Sequence, residues 1–141
     1  MSANTKPIYS RAPDVQWVSG YMTAANTTAD LASGTSYLVF TADATNGGYL
    51  RKIKFRPTPA GNTTKTVARI WLNNGSTTGT AANNVLFDEI SLPSVTADAD
   101  DPVYGIEYVA DLQLNAGYRV YVTLGTASAN GWAATGVSGK F

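Results

Sequence analysis

Cysteine and histidine are both missing from this chain of 141 residues. Without cysteine there is no disulfide to support the fold and no thiolate chemistry. Without histidine the commonest general base, the commonest transition-metal ligand and the usual pH switch are lost together. Charge is scarce as well, at 14% of residues, and it balances to zero. A neutral chain lacks the basic field of a nucleic-acid binder, so no direct nucleic-acid partner is expected. No apolar run approaches the roughly 20 residues that span a bilayer. Residues 1–7 have no apolar stretch of the kind a signal peptide needs. The expectation is a protein made in a cytoplasm, with no membrane partner.

What is present is β-forming. The length suits one domain that buries a core without staples. Short runs rich in Thr, Val, Ile, Tyr, Phe and Trp alternate with clusters of Gly, Asn, Asp, Pro and Ser. No helical periodicity is sustained. Eight strands are expected, near residues 15–22, 36–41, 49–57, 64–73, 85–92, 104–112, 117–124 and 131–138. In the third, Tyr49, Ile53 and Phe55 form one face and Lys52, Lys54 and Arg56 the other. In the sixth, Ile106, Tyr108, Ala110 and Leu112 alternate with polar residues, and in the seventh Tyr118, Val120, Val122 and Leu124 do so. Such half-buried strands belong to antiparallel sheets with one solvated face. Asn115-Ala116-Gly117 has the length and glycine of a tight hairpin. The fold class is therefore all-β, an antiparallel β-sandwich of eight strands, with a jelly roll as the favoured topology.

Residues 1–14 differ from the rest. They form a polar, proline-punctuated arm whose only large apolar residues are Ile8 and Tyr9, with Arg11 close behind. The arm is either a simple terminal extension or an extended tether that adds to a partner's sheet edge. Residues 15–141 make the sandwich domain. Charge is also uneven along the chain. Residues 1–70 hold eight Lys and Arg against three Asp, and the remainder holds two against seven acids. Patches of opposite sign favour docking or self-association.

Catalytic chemistry finds little support. Asp88 and Glu89 are adjacent and point to opposite sheet faces. Glu107 and Asp111 share a face but lie about 13 Å apart along a strand, too far for a retaining glycosidase pair. No serine sits in a nucleophile motif. Asp98-Ala99-Asp100-Asp101 resembles a fragment of a calcium loop, without the central Gly and final Glu of the full pattern, and reads better as a solvated acidic loop. No enzyme activity, metal or cofactor is expected. The row Lys52, Lys54, Arg56 reads as a solvated face, as a guard against stray edge pairing, or as a contact for an acidic protein. Trp17 and Trp132 read as core residues. Trp71 lies opposite the Ala68, Ile70, Leu72 face, so it is expected to be exposed beside Arg69 as an interface anchor.

Several short segments carry a resemblance. Ala3-Asn4-Thr5-Lys6-Pro7-Ile8, Leu38-Val39-Phe40-Thr41-Ala42, Leu114-Asn115-Ala116-Gly117-Tyr118 and the closing Gly136-Val137-Ser138-Gly139-Lys140-Phe141 resemble phage head cement, or decoration, proteins. The resemblance implies a jelly-roll-like structural protein of the virion. It would be a dimer or trimer on the outer capsid surface that clamps neighbouring major capsid subunits, without cofactor or catalysis. A receptor- or carbohydrate-binding sandwich is the alternative. The candidate interface residues, read from chemistry alone, are Ile8, Tyr9, Arg11, Lys52, Lys54, Arg56, Arg69 and Trp71.

Overall fold

A computed structural model describes residues 11–141. All eight expected strands are found: β1 Ala12–Trp17, β2 Tyr37–Thr41, β3 Gly48–Pro57, β4 Thr66–Asn73, β5 Asn84–Leu92, β6 Ile106–Leu114, β7 Arg119–Leu124 and β8 Trp132–Lys140. They form two four-stranded antiparallel sheets, ordered β1-β8-β3-β6 and β2-β7-β4-β5. The pairing has a simple logic. First strand pairs with last, second with seventh, third with sixth and fourth with fifth. The chain is thus one long antiparallel ribbon, folded at the β4–β5 turn and wrapped into two layers. Pairs β3·β8 and β4·β7 seal the wrap. This is the jelly roll.

Between the layers lies one core, built around Phe40, Ile53, Phe55, Ile70, Val122 and Trp132. The expected inward faces of β4, β6 and β7 hold, with Ala68, Ile70, Val120, Val122 and Leu124 fully buried and Ile106, Tyr108, Ala110 and Leu112 partly so. In β3 the phase differs from the simple alternation. The register shifts between Leu50 and Lys52 against both neighbours. Such a bulge adds a residue and changes which side chains point inward. Leu50 therefore joins Ile53 and Phe55 in the core, and Tyr49 faces outward with its hydroxyl on Asp111.

Two further expectations fail for stated reasons. Asn115-Ala116-Gly117 does not close a hairpin, because β6 and β7 lie in different sheets. It is a corner between layers, tied by Gly117 N–H to the Asp43 carbonyl at 3.0 Å and by Tyr118 N–H to the Asn115 carbonyl at 3.1 Å. The neighbouring Gly47 needs its glycine twice over. Its φ is +81°, and a Cβ there would stand 2.3 Å from the Leu114 carbonyl oxygen. The arm also ends earlier than residue 14. β1 starts at Ala12, and Ala12 to Asp14 are already paired with β8.

The 18–36 connection crosses one end of the sandwich. It is pinned by bridges from Met22 to Trp132 and from Ala25 to Leu124. Its centre is Asn26, which is buried. The Asn26 side-chain amide donates to the carbonyls of Asp30, Ser33 and Thr35 at 2.8, 3.1 and 3.1 Å. One amide thus gathers three backbone acceptors of a long loop.

At the opposite side, β5 and β6 are the outer strands of their sheets. Tyr108 of β6 reaches across and donates its hydroxyl to Asp88 of β5 at 2.9 Å. Burial, then the hydrogen bond to Asp88 and its negative charge, hold the Tyr108 phenol above its ordinary ionisation range. The raised value sets the sign of a pH effect. The stabilisation is fully present below the unfolded tyrosine pKa of about 10 and drains away as pH climbs toward the folded value. Tyr108→Phe is expected to flatten that alkaline loss. Urea titrations from pH 8 to 11 check it, and equal alkaline slopes for both proteins would count against a cross-sheet role for Tyr108.

Candidate docking face

The residues marked out by sequence do not converge on one place. Ile8 and Tyr9 lie outside the described residues. Lys52, Lys54 and Arg56 stand on the outer face of the β1-β8-β3-β6 sheet, as the period-two pattern requires. Arg11 is exposed at one end of the same face, beside a depression also lined by Tyr49, Arg51 and Val137. Arg69 and Trp71 belong to the other sheet, so they look away from this face.

Trp71 corrects the sequence reading. It points away from the core as expected, yet only 8% of it is exposed. It sits on β4, an interior strand, with Tyr121 of β7 and Leu86 of β5 as its register partners. Its indole N–H donates to the Thr123 hydroxyl at 3.0 Å. Neighbours on both sides cover it, and it is a packing residue of the outer layer. Arg69 beside it is occupied by Glu89 at 2.7 Å.

Trp17 corrects the reading in the opposite sense. It was assigned to the core, and it is 67% exposed. The cause is the polarity of β1, whose alternation runs the wrong way round for a sandwich strand. Asp14 and Gln16 turn inward, and Val15 and Trp17 turn outward. The inward polar pair has partners. Gln16 donates to the Asp14 carboxylate at 2.8 Å and to the Thr41 carbonyl at 2.9 Å, and accepts the Thr41 N–H at 2.9 Å. The Gln16 amide thus stands in for a backbone partner at the free edge of β2 and closes that side of the sandwich. Inverting the strand is what places Val15 and Trp17 on the surface.

Register shows what they join. One cross-strand row runs Val15, Val137, Lys52, Val109. The next runs Trp17, Thr135, Lys54, Glu107. Val15 and Val109 are both more than half exposed. Apolar positions and cations therefore interleave across one flat face. Lys52 and Lys54 share Glu107, at 2.9 and 3.9 Å. The hydrogen bond and charge of Lys52 hold the Glu107 carboxyl below its usual range. These pairs are exposed, and each contributes at most about 1 kcal/mol. Arg56 donates to the Val103 carbonyl at 3.0 Å, which fixes the guanidinium against the loop after β5. Across the strands themselves Arg11, Arg51, Lys52, Lys54 and Arg56 outnumber Glu107 and Asp111, so the sheet surface is basic away from its Arg56 end.

The acidic 98–101 segment flanks this face near Arg56. The Asp98 carboxylate accepts the N–H groups of Asp100 and Asp101 at 2.8 and 3.3 Å, and these bonds lower its pKa. It works as a local turn cap. Among the described residues no three His, Cys, Asp or Glu side chains are grouped to hold an ion. Sequence reasoning found the cations of the face and missed Val15, Trp17 and Val109. The alternation in β1 was visible in the sequence, but no local signal said which half of it faced out.

Comparison of the chain with family models, with curated proteins and with solved structures gives no match.

Proposed function

We propose that this protein is a structural component of the virion, a cement or decoration protein of a tailed-phage head. The outer face of the β1-β8-β3-β6 sheet docks on the outer capsid surface and holds neighbouring major capsid subunits together. The observation that carries the reading is the inverted polarity of β1, which displays Val15 and Trp17 beside the basic row of β3. An exposed tryptophan on a face that also carries Arg51 and Arg56 matches the enrichment of aromatic residues and Arg at protein interfaces. The terminal and hairpin-like motifs that resemble cement proteins name the partner. A shell repeats one site many times, so each contact can be modest and the assembly still firm. The role calls for no reaction, cofactor or metal.

The exposed Trp17 ring also supports a second reading, in which the face binds a sugar or a receptor. Its neighbours in the strand and in register, Val15 and Thr135, are not aromatic, and it stands on an open sheet surface. That setting favours a broad protein contact. Co-sedimentation with heads that lack the protein separates the two. The decoration reading expects saturable binding, at a copy number that matches the shell symmetry. Folded protein that leaves the heads bare would defeat it, and glycan binding would then be the assay to run.

A further inference from the structure

At the Arg11 end of the docking face, β3 carries one residue more than β8 beside it. Leu50 pairs with Ser138 and Lys52 with Val137, which leaves Arg51 without a partner there. Bulges of this kind re-aim side chains and recur next to active sites. Here the extra residue lets Arg51 and Lys52 both reach the outer face, where strict alternation allows one of two neighbours. Next to Arg51 the surface sinks into a hollow of about 410 Å³. One cross-strand row accounts for it. Pro13, Gly139 and Tyr49 stand side by side, and the glycine puts no side chain between the two rings. Their backbones are two strand spacings apart, about 10 Å. Val137 adds an apolar wall, and Arg11 and Arg51 complete the lining.

The other cations of β3 are occupied. Lys52 and Lys54 share Glu107, and Arg56 is held by the Val103 carbonyl. Arg11 and Arg51 have no ion pair among the described residues. The nearby carboxylates are engaged elsewhere. Asp111 accepts the Tyr49 hydroxyl, Asp14 turns inward to Gln16, and Asp43 accepts the N–H groups of Thr45 and Asn46. Residues 1–10 contain no Asp or Glu, so the arm supplies no acidic side chain either. Two guanidiniums without a counter-charge thus line one hollow with apolar walls.

We propose that this hollow receives an aspartate or glutamate side chain of the protein that docks on this face. The carboxylate lies between Arg11 and Arg51, and its hydrocarbon stem lies against Tyr49 and Val137. The planar, weakly hydrated guanidinium is the cation best suited to such a pair. Apolar walls favour an acid carried on a hydrocarbon stem over a bare, fully hydrated anion. The row Val15, Val137, Lys52 borders the hollow, and the Trp17 row follows it, so the hollow is continuous with the docking face. The inference rests on the docking reading and adds the group that the face receives, an acidic segment of the partner.

Two blocked pentapeptides test the hollow without heads, acetyl-Ala-Leu-Glu-Leu-Ala-amide and the same peptide with Gln in place of Glu. They are titrated into the isotope-labelled full chain and followed by NMR. The Glu peptide is expected to shift the amide signals of Arg51, Val137 and Gly139 saturably, and the Gln peptide to bind at least about tenfold more weakly. Arg11→Gln combined with Arg51→Gln, checked for an unchanged thermal transition, is expected to erase that preference. Arg51→Lys alone is expected to keep part of it. Equal affinity for the two peptides, no saturable shift with the Glu peptide, or a preference that survives the double substitution would each overturn the inference. Heads separate it from the reading it rests on. Wild type that leaves heads bare while the peptide preference holds counts against the decoration reading alone. Heads that take up the doubly substituted protein as tightly as wild type overturn the inference and leave that reading standing.

Discussion

Trp17→Ala is expected to weaken attachment to heads by about 30-fold or more while leaving the fold intact, the signature of an interface anchor. The argument rests on where the ring stands. Trp17 is 67% exposed on the outermost strand of its sheet, so removing it opens no cavity. Surface changes of that kind shift stability by no more than about 0.5 kcal/mol. Trp71→Ala should do the reverse. That ring is covered on both sides and donates to Thr123, so its loss leaves a void and an unpaired hydroxyl. A cost of about 3 kcal/mol in stability is expected, with attachment unchanged below the melting transition. Equal head binding by Trp17→Ala and wild type would remove this face from the mechanism.

Asn26→Ala is expected to cost the fold about 2–4 kcal/mol, because it removes a buried amide that ties three backbone carbonyls of the loop together. The residue is 2% exposed, and its amide serves Asp30, Ser33 and Thr35 together while its own carbonyl accepts the Thr28 hydroxyl at 3.0 Å. For a domain of this size that cost lowers the melting temperature by about 10 °C. Asn26→Asp should be worse still, since it sets a carboxylate oxygen against three carbonyl oxygens with only the Thr28 hydroxyl to donate to it. A thermal melt decides the matter, and a midpoint within experimental scatter of wild type would show that the loop does not depend on Asn26.

How much of this was legible in the sequence depends on whether the property is local. The eight strands were, because alternation and turn residues are local signals. Strand order was not, and the errors follow from that. Trp17 and Trp71 were assigned the wrong way round because exposure depends on whether a strand is interior or outermost. β4 has a neighbour on each side of Trp71, and β1 has one side open. The extra residue near Arg51 moved Tyr49 outward and Leu50 inward, since one inserted residue inverts a period of two. Asn115-Ala116-Gly117 has the same composition as a hairpin and instead changes layers. For the candidate site, Lys52, Lys54 and Arg56 were readable as a charged stripe. Their apolar companions Val15 and Val109 come from strands 35 or more residues away in sequence, and only the register brings them alongside.

The claim that matters most is that the outer face of the β1-β8-β3-β6 sheet meets the capsid. Hydroxyl-radical footprinting of the protein, free and bound to heads, tests it with internal controls, because Trp71 and Trp132 are already buried in the free protein. The account predicts that Trp17 oxidises readily in the free protein and is strongly protected on the head, with Val15 and Val109 following it. Trp17 oxidised equally fast in both states, with protection appearing on the opposite sheet instead, would contradict it.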